Sequence, residues 1–166
     1  MTTADTKRAK DQARAQLDSI REMVKRFQHC QDCDGEGCEL TDEEIYGGLS
    51  FFYQADSKAT EEDRENYHNE EEARQAISED PLAVEVRTDW HSPGDENDKP
   101  TEYFILLCTG GPAVRIIGKL DEYQQPETAE IEYQDWFIPW VRYADTTSEE
   151  DEALLTYARQ FYFSEC

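Results

Sequence analysis

The spacing of apolar residues changes at Pro81, and this change limits the fold more than any other feature of the chain. Before Pro81, apolar residues recur every three or four positions, which is the period of an amphipathic helix. After it, apolar and polar residues alternate, which is the period of a strand with one buried face. A chain that is helical in one part and alternating in the next predicts an α+β fold.

The first part of the chain predicts one long helix and then several short ones. Residues 1–28 contain no Gly or Pro and predict a basic amphipathic helix, with Leu17, Ile20, Val24 and Phe27 on its apolar face. Further helices are predicted to begin at Thr41, Thr60 and Asn69, because each of these polar side chains precedes acidic residues and can cap a helix. The helix after Thr41 is expected to place three apolar residues on one face, namely Ile45, Leu49 and Phe52.

The second part predicts a sheet and a last helix. Strands are predicted at Leu82–Trp90, Tyr103–Cys108, Ala113–Leu120 and Ala129–Trp136, and their short connections favour an antiparallel meander. Ser148 is expected to cap the last helix. The full prediction is N-terminal helices, a four-stranded antiparallel sheet and a C-terminal helix, with an acidic α+β domain over residues 41–166.

The charge of the chain narrows the classes of partner. There are 39 Asp and Glu residues against 16 Lys and Arg, a net charge of −23. Residues 1–28 carry seven bases and four acids, so residues 29–166 carry a net charge of −26. Direct binding of nucleic acid by this body is not expected, because contacts to phosphate need Lys and Arg. The expected partner is a basic protein that itself binds nucleic acid.

Two plainer interpretations of the charge stay open. High charge confers solubility on many proteins, and proteins adapted to high salt are acidic and poor in lysine, of which this chain has six. No apolar run approaches the roughly 20 residues that span a membrane, and the first residues do not form a secretory signal. The expected location is therefore the cytoplasm, without a membrane partner.

Residues 29–40, HCQDCDGEGCEL, carry the residue types of a metal site. Cys30, Cys33 and Cys38 stand in a short Cys/Gly loop beside His29, a spacing that predicts a zinc knuckle. The fourth ligand would be His29, Cys108, a carboxylate or a cysteine of a second subunit. Plain thiols, a disulfide and a redox pair remain alternatives.

The other histidines of the chain give no clear chemical signal. His68 and His91 have no recognisable nucleophile or partner nearby in the sequence, so surface or capping roles are expected for both.

The acidic clusters of the helical part suggest a sharper function. Carboxylates held on rigid, capped helices can reproduce the charge spacing of duplex DNA, about one charge per 1.7 Å of axis. The residues expected to contact a partner are Asp42, Glu43, Glu44, Glu61, Glu62, Asp63, Glu70, Glu71 and Glu72. The alternative is an ordinary solvated surface.

Two resemblances accompany these patterns. The run from Cys30 to Gly37 resembles one CxxCxGxG repeat of the zinc region of J-domain co-chaperones, but that family uses several repeats and this chain has one, so no function follows. The whole chain resembles the small acidic proteins of bacteriophages and mobile elements, through the stretches LTDEEIYGGL, ISEDPLAVEVRTDW, YFILLCTGGPAVRIIGKLDEY, EYQDWFIPW and LLTYARQFYF.

The resemblance to phage proteins implies an anti-restriction or anti-CRISPR role in the bacterial host cytoplasm. The leading hypothesis is a non-enzymatic inhibitor that mimics DNA and occupies a nuclease or CRISPR effector. The first alternative is a zinc-stabilised adaptor that binds through the basic helix and an aromatic patch formed by Trp136, Phe137, Pro139 and Trp140. A metal-dependent hydrolase or nuclease is the second alternative, and a homodimer is a further option for the assembly.

Overall fold

The computed structural model describes residues 3–49, 58–95, 99–136 and 138–163. The helices in these ranges are α1 (Thr3–Asp32), α2 (Asp42–Leu49), α3 (Glu61–Tyr67), α4 (Glu70–Glu79) and α5 (Ser148–Ala158). The strands are β1 (Ala83–Arg87), β2 (Glu102–Cys108), β3 (Ala113–Lys119), β4 (Glu130–Gln134) and β5 (Val141–Arg142). Helices come first, then an antiparallel sheet, then a last helix, which confirms the predicted α+β class.

The sheet differs from the prediction by one strand. Its five strands lie in the order β1-β2-β3-β4-β5, each antiparallel to the next. The fifth strand, β5, has two residues and pairs with β4 through Glu132–Arg142 and Tyr133–Val141. Two residues are too few to show an alternating pattern, so the sequence predicted only four strands.

The long helix α1 is the centre of the core. Its predicted apolar face, Leu17, Ile20, Val24 and Phe27, is buried in one cluster with the inward side chains of β2, β3 and β4, with α4 and with α5. The basic amphipathic helix predicted over residues 1–28 therefore packs into the main core. The helix continues to Asp32. The Cys/Gly loop that was predicted over residues 29–40 therefore begins at Cys33, four residues later than expected.

The first strand is more exposed than the sequence predicted. The alternating segment Leu82–Trp90 forms a strand only over Ala83–Arg87, and Leu82, Val84 and Trp90 are exposed. Within the described residues, β1 is an edge strand that pairs only with β2. An edge strand far from α1 has fewer neighbours to cover its apolar side chains.

The predicted helix starts agree well with the structure. Thr41 accepts a hydrogen bond from the Glu44 N–H and Thr60 accepts one from the Asp63 N–H, while both acids accept from the capping residue's N–H. Asn69 caps α4. For α5 the cap is Thr147 rather than Ser148, which is the first helical residue.

The packing predicted for Phe52 and Phe137 concerns residues that lie outside the part of the chain that the structure describes.

Among the helices of the described ranges, none combines the length and the apolar character that crossing a membrane requires.

Candidate metal centre

Four side chains from three segments converge near the C-terminal end of α1. They are His29, Cys33, Cys38 and His68, and one potential ligand atom from each lies within 4.8 Å of all the others. The His29 Nε2 and His68 Nε2 atoms are 3.2 Å apart, and the Cys38 Sγ lies 3.4 Å from His29 Nε2. All four residues are half-buried. Such a group of two imidazoles and two thiols can hold a metal ion.

Helical geometry brings the first two of these residues together. His29 lies on the last turn of α1, and the Cys33 N–H donates to the His29 carbonyl at 2.9 Å, which continues the helical hydrogen-bond pattern by one residue. Residues four apart on a helix lie on the same face. The extension of α1 to Asp32 therefore places His29 and Cys33 side by side.

A glycine turn returns the chain to place Cys38 beside this pair. Gly35 and Gly37 have φ values of +97° and +68°, a left-handed conformation that other residues rarely adopt. The Cys38 N–H donates to the Gly35 carbonyl, and the Asp34 carboxylate accepts from the Glu36 N–H. A Cβ at Gly35 would lie 3.1 Å from the His68 ring. Gly35 is therefore needed both for the turn and for the close approach of His68.

The fourth side chain, His68, is held by the end of α3. It is the C-cap residue of that helix, and its Nδ1 lies 2.7 Å from the Arg64 carbonyl oxygen. A carbonyl oxygen only accepts, so Nδ1 carries the proton and Nε2 presents a lone pair to His29 and the thiols. A histidine ligand usually donates its other ring N–H to such an oxygen, because this bond fixes the ring.

Arg64 also connects α3 to the start of α2. Its guanidinium donates to the Leu40 carbonyl at 3.0 Å and to the Asp42 carboxylate at 2.7 Å. The segment that follows Cys38 is thereby tied to the helix that positions His68. The loop and α3 thus hold the cluster from two sides.

Burial also favours the ligand form of His29. Burial, and after it the neighbouring His68, lower the pKa of His29 below its ordinary value. A neutral imidazole is the form that binds a metal.

The structure corrects the predicted ligand set at one position. Cys30 was expected with His29, Cys33 and Cys38, but its Sγ points elsewhere and donates to the Tyr67 carbonyl at 2.9 Å. Adjacent residues on a helix point about 100° apart, so His29 and Cys30 cannot both face the cluster. Burial raises the pKa of the Cys30 thiol, which suits an uncharged packing residue. Cys108, another suggested ligand, lies at the end of β2 and is not in the cluster.

Sequence reasoning missed His68 because it lies 30 residues beyond Cys38. Its assignment to a capping role is correct as far as it goes, since it does cap α3. The signal that it also belongs to the cluster is tertiary, namely the packing of α3 against the end of α1.

The nine predicted partner-binding acids all lie in the first turns of three helices. Asp42, Glu43 and Glu44 begin α2, Glu61, Glu62 and Asp63 begin α3, and Glu70, Glu71 and Glu72 begin α4. Carboxylates in these positions stabilise the positive end of the helix dipole. A local structural role therefore accounts for part of this pattern.

Six of these nine acids also have partners within the chain. Glu44 and Asp63 accept hydrogen bonds at helix starts, and the bond from the Thr41 N–H lowers the pKa of Glu44. Arginines pair with the other four, which are Asp42, Glu70, Glu71 and Glu72. Within the described ranges, Glu43, Glu61 and Glu62 have no ion pair and are exposed. Of the nine, these three carboxylates are the ones that combine full exposure with the absence of an ion pair in the described ranges.

Comparisons with known proteins gave no match for this chain. No protein-family model matches the chain, and searches of curated proteins and of solved structures gave no significant match.

Proposed function

We propose that this protein is a non-enzymatic, zinc-stabilised binding protein whose acidic surface occupies the nucleic-acid site of a basic host protein. The observation that carries the proposal is the convergence of His29, Cys33, Cys38 and His68 within 4.8 Å. Two thiolates and two imidazoles form the donor set of many structural zinc sites. A centre with four protein ligands leaves no open position for a substrate, so its role is to stabilise the fold.

The distances between the donor atoms support zinc. Tetrahedral coordination with Zn–N near 2.1 Å and Zn–S near 2.3 Å separates two nitrogens by about 3.4 Å, and a nitrogen from a sulfur by about 3.6 Å. The corresponding distances here are 3.2 Å and 3.4 Å. A hydrogen bond between the imidazoles explains the first distance alone. A zinc ion would also explain why both thiols lie within 4.8 Å of the two imidazoles.

The zinc part of the proposal is tested by mass measurement under native conditions and by the effect of a chelator on Tm. We expect one zinc ion per chain and a lower Tm after chelation, because a metal that binds only the folded state stabilises it. Cys33→Ser and His68→Ala should lose the metal. Cys30→Ser is the matched control, since Cys30 is a nearby thiol outside the cluster. Retention of zinc by Cys33→Ser, or a metal-free wild-type protein, would overturn this part.

The surface beside this centre supports the binding part. The acidic first turn of α2 lies near the cluster, since the Arg64 whose carbonyl holds His68 also pairs with Asp42. Glu43, Glu61 and Glu62 extend from these helices without an ion pair among the described residues. Charge-assisted bonds to Arg and Lys of a nuclease or CRISPR effector would use such carboxylates.

The binding part is tested with two triple variants that change the net charge equally. The first replaces Glu43, Glu61 and Glu62 with Gln, and the control replaces Glu122, Glu127 and Glu152, which are exposed acids elsewhere on the surface. The readout is capture of a nuclease subunit from a bacterial lysate and its displacement by duplex DNA. We expect the first variant to lose capture and the control to keep it. Equal behaviour of the two variants would contradict a specific acidic surface.

An adaptor that binds its partner through the basic helix α1 is less well supported. Four of the seven basic residues of α1 pair with carboxylates of other segments: Lys10 with Asp145, Lys25 with Glu44, and Arg14 and Arg21 with Glu150. Arg26 is buried and donates to the Tyr67 carbonyl. Because α1 is also central to the core, its deletion would unfold the protein rather than remove one binding element.

A further inference from the structure

The two thiols of the candidate metal centre lie close enough to react with each other. The sulfur atoms of Cys33 and Cys38 lie within 4.8 Å of one another. Sulfur atoms in a disulfide are about 2 Å apart, so an approach of about 3 Å or less would join them. Both residues carry free thiols and are only half-buried, so a small molecule in the solvent can reach them.

The segment between the two thiols can make this approach because it is a glycine turn. A Cβ at Gly37 would meet no atom within 4 Å, so this side of the turn faces open space. The hydrogen bond from the Cys38 N–H to the Gly35 carbonyl is long, at 3.3 Å, whereas the one from the Cys33 N–H to the His29 carbonyl is 2.9 Å. Cys33 is therefore held at the end of α1, and Cys38 is the residue that can move toward it.

A third thiol in the same region has a different environment. Cys30 lies one helical turn before Cys33, but it donates to the Tyr67 carbonyl at 2.9 Å, and burial raises the pKa of its thiol. The thiolate is the form of cysteine that attacks other atoms. Cysteines bound to zinc are thiolates, so a zinc ion would keep Cys33 and Cys38 in this form while Cys30 stays protonated.

We propose that Cys33 and Cys38 form a reversible oxidation site, at which hydrogen peroxide converts the metal centre into a disulfide and releases the ion. This inference rests on the zinc centre of the proposed function and adds its regulation. A disulfide contains no thiolate to bind zinc. After oxidation only His29 and His68 remain of the four ligands, so the ion no longer joins α1, the glycine turn and α3.

The oxidation takes place in two steps. One thiolate attacks a peroxide oxygen and the O–O bond breaks, which gives a sulfenic acid and a hydroxide. The second thiolate attacks the sulfenic sulfur and the S–O bond breaks, which gives the disulfide and a second hydroxide. Two protons from the solvent convert both hydroxides into water. Two thiolates, one peroxide and two protons thus yield one disulfide and two waters, and two electrons pass from the sulfurs to the peroxide.

The test treats the zinc-loaded protein with a small molar excess of hydrogen peroxide. A chromophoric chelator measures the released zinc, and mass mapping of peptides locates the oxidised cysteines. We expect the loss of one zinc ion and two thiols per chain, with the new bond between Cys33 and Cys38. Dithiothreitol followed by zinc should restore the starting state, because a disulfide is reducible and higher oxidation states of cysteine are not.

Cys30→Ser is the matched control, since it removes the nearby thiol that lies outside the cluster. It should release zinc and form the disulfide as the wild type does. The inference alone is overturned if the wild-type protein holds zinc and keeps it in peroxide, if the disulfide involves Cys30, or if the zinc loss cannot be reversed. A wild-type protein that binds no zinc would instead contradict the metal centre itself, and this inference with it.

Discussion

Glu150 connects the start of α5 to α1, and its replacement tests how the two helices are held together. Its side-chain carboxylate accepts from the Thr147 N–H at 3.1 Å, as the third residue of a capping box. The same carboxylate pairs with Arg14 and Arg21 of α1. Its side chain is only 4% exposed, whereas that of Arg14 is 33% exposed. One group therefore performs a local and a tertiary role.

The magnitude follows from these two roles. Loss of the hydrogen bond to the cap costs about 1 kcal/mol. Breaking an ion pair costs about 3–5 kcal/mol when it is fully buried and about 0–1 kcal/mol when it is exposed. Since Glu150 is buried and its partner is partly solvated, an intermediate cost of about 2 kcal/mol is expected. Glu150→Ala should thus lower the free energy of unfolding by about 3 kcal/mol, and Glu150→Gln by about 2 kcal/mol, because Gln keeps the capping bond.

Urea unfolding at pH 7 measures both values, with an unchanged m-value as the check that the denatured state is the same. The difference between Gln and Ala reports the capping bond, and the difference between the wild type and Gln reports the ion pair. A Glu150→Gln variant as stable as the wild type would refute the tertiary role. Equal losses for the two variants would refute the local role.

The pH dependence of this effect has a definite sign. The hydrogen bond from Arg14 holds the pKa of Glu150 below its ordinary value of 4.5. A carboxylate with a lowered pKa in the folded state stabilises the fold above its unfolded pKa, and this contribution is lost as the pH falls through the folded value. The stability difference between wild type and Glu150→Gln should therefore be complete at pH 7 and shrink below about pH 4.5. A difference that grows in acid would contradict this reasoning.

Three further changes test a close backbone contact, a side-chain hydrogen bond and a helix cap. Gly118→Ala should destabilise by about 3 kcal/mol in urea, because its Cβ would overlap the Thr128 carbonyl oxygen, and a neutral result would show that the backbone can move. Tyr157→Phe should cost about 2 kcal/mol through loss of the 2.6 Å bond from its hydroxyl to Asp80, and an unchanged Tm would contradict this. Asn69→Ala should cost about 1 kcal/mol at the start of α4, whereas Asn69→Asp, which also caps, should cost little.

Local features of the fold were predictable because neighbouring residues determine them. Thr41, Thr60 and Asn69 mark helix starts since a side-chain oxygen and a free N–H only a few residues apart form the cap. The alternation in β4 likewise predicted that Ile131 and Tyr133 lie on one face, and both are buried. The cap of α5 was misassigned by one residue, since Thr147 and Ser148 are both capable of capping and only the backbone conformation distinguishes them.

Features that depend on the edge of the sheet were not predictable. The alternating pattern at Leu82–Trp90 is that of a half-buried strand, yet β1 is mostly exposed because it lies at the edge. The two-residue strand β5 exists only through its pairing with β4. The residues of the aromatic patch also differ in their surroundings in a way that the sequence did not predict. Trp136 is exposed, and Trp140 stacks on Arg115. Burial and pairing of this kind depend on which segments become neighbours.

The candidate metal centre shows the same division at the level of single residues. The sequence by itself indicated a metal site as one role of the Cys/Gly loop, beside plain thiols, a disulfide and a redox pair, and it named His29, Cys33 and Cys38 among the candidate ligands. Only the tertiary structure decided the ligand set. The continuation of α1 to Asp32 turns Cys30 toward the Tyr67 carbonyl, and the packing of α3 brings His68 within 3.2 Å of His29. A helix rotates each successive side chain by about 100°, and a ligand 30 residues away reaches the centre only through folding.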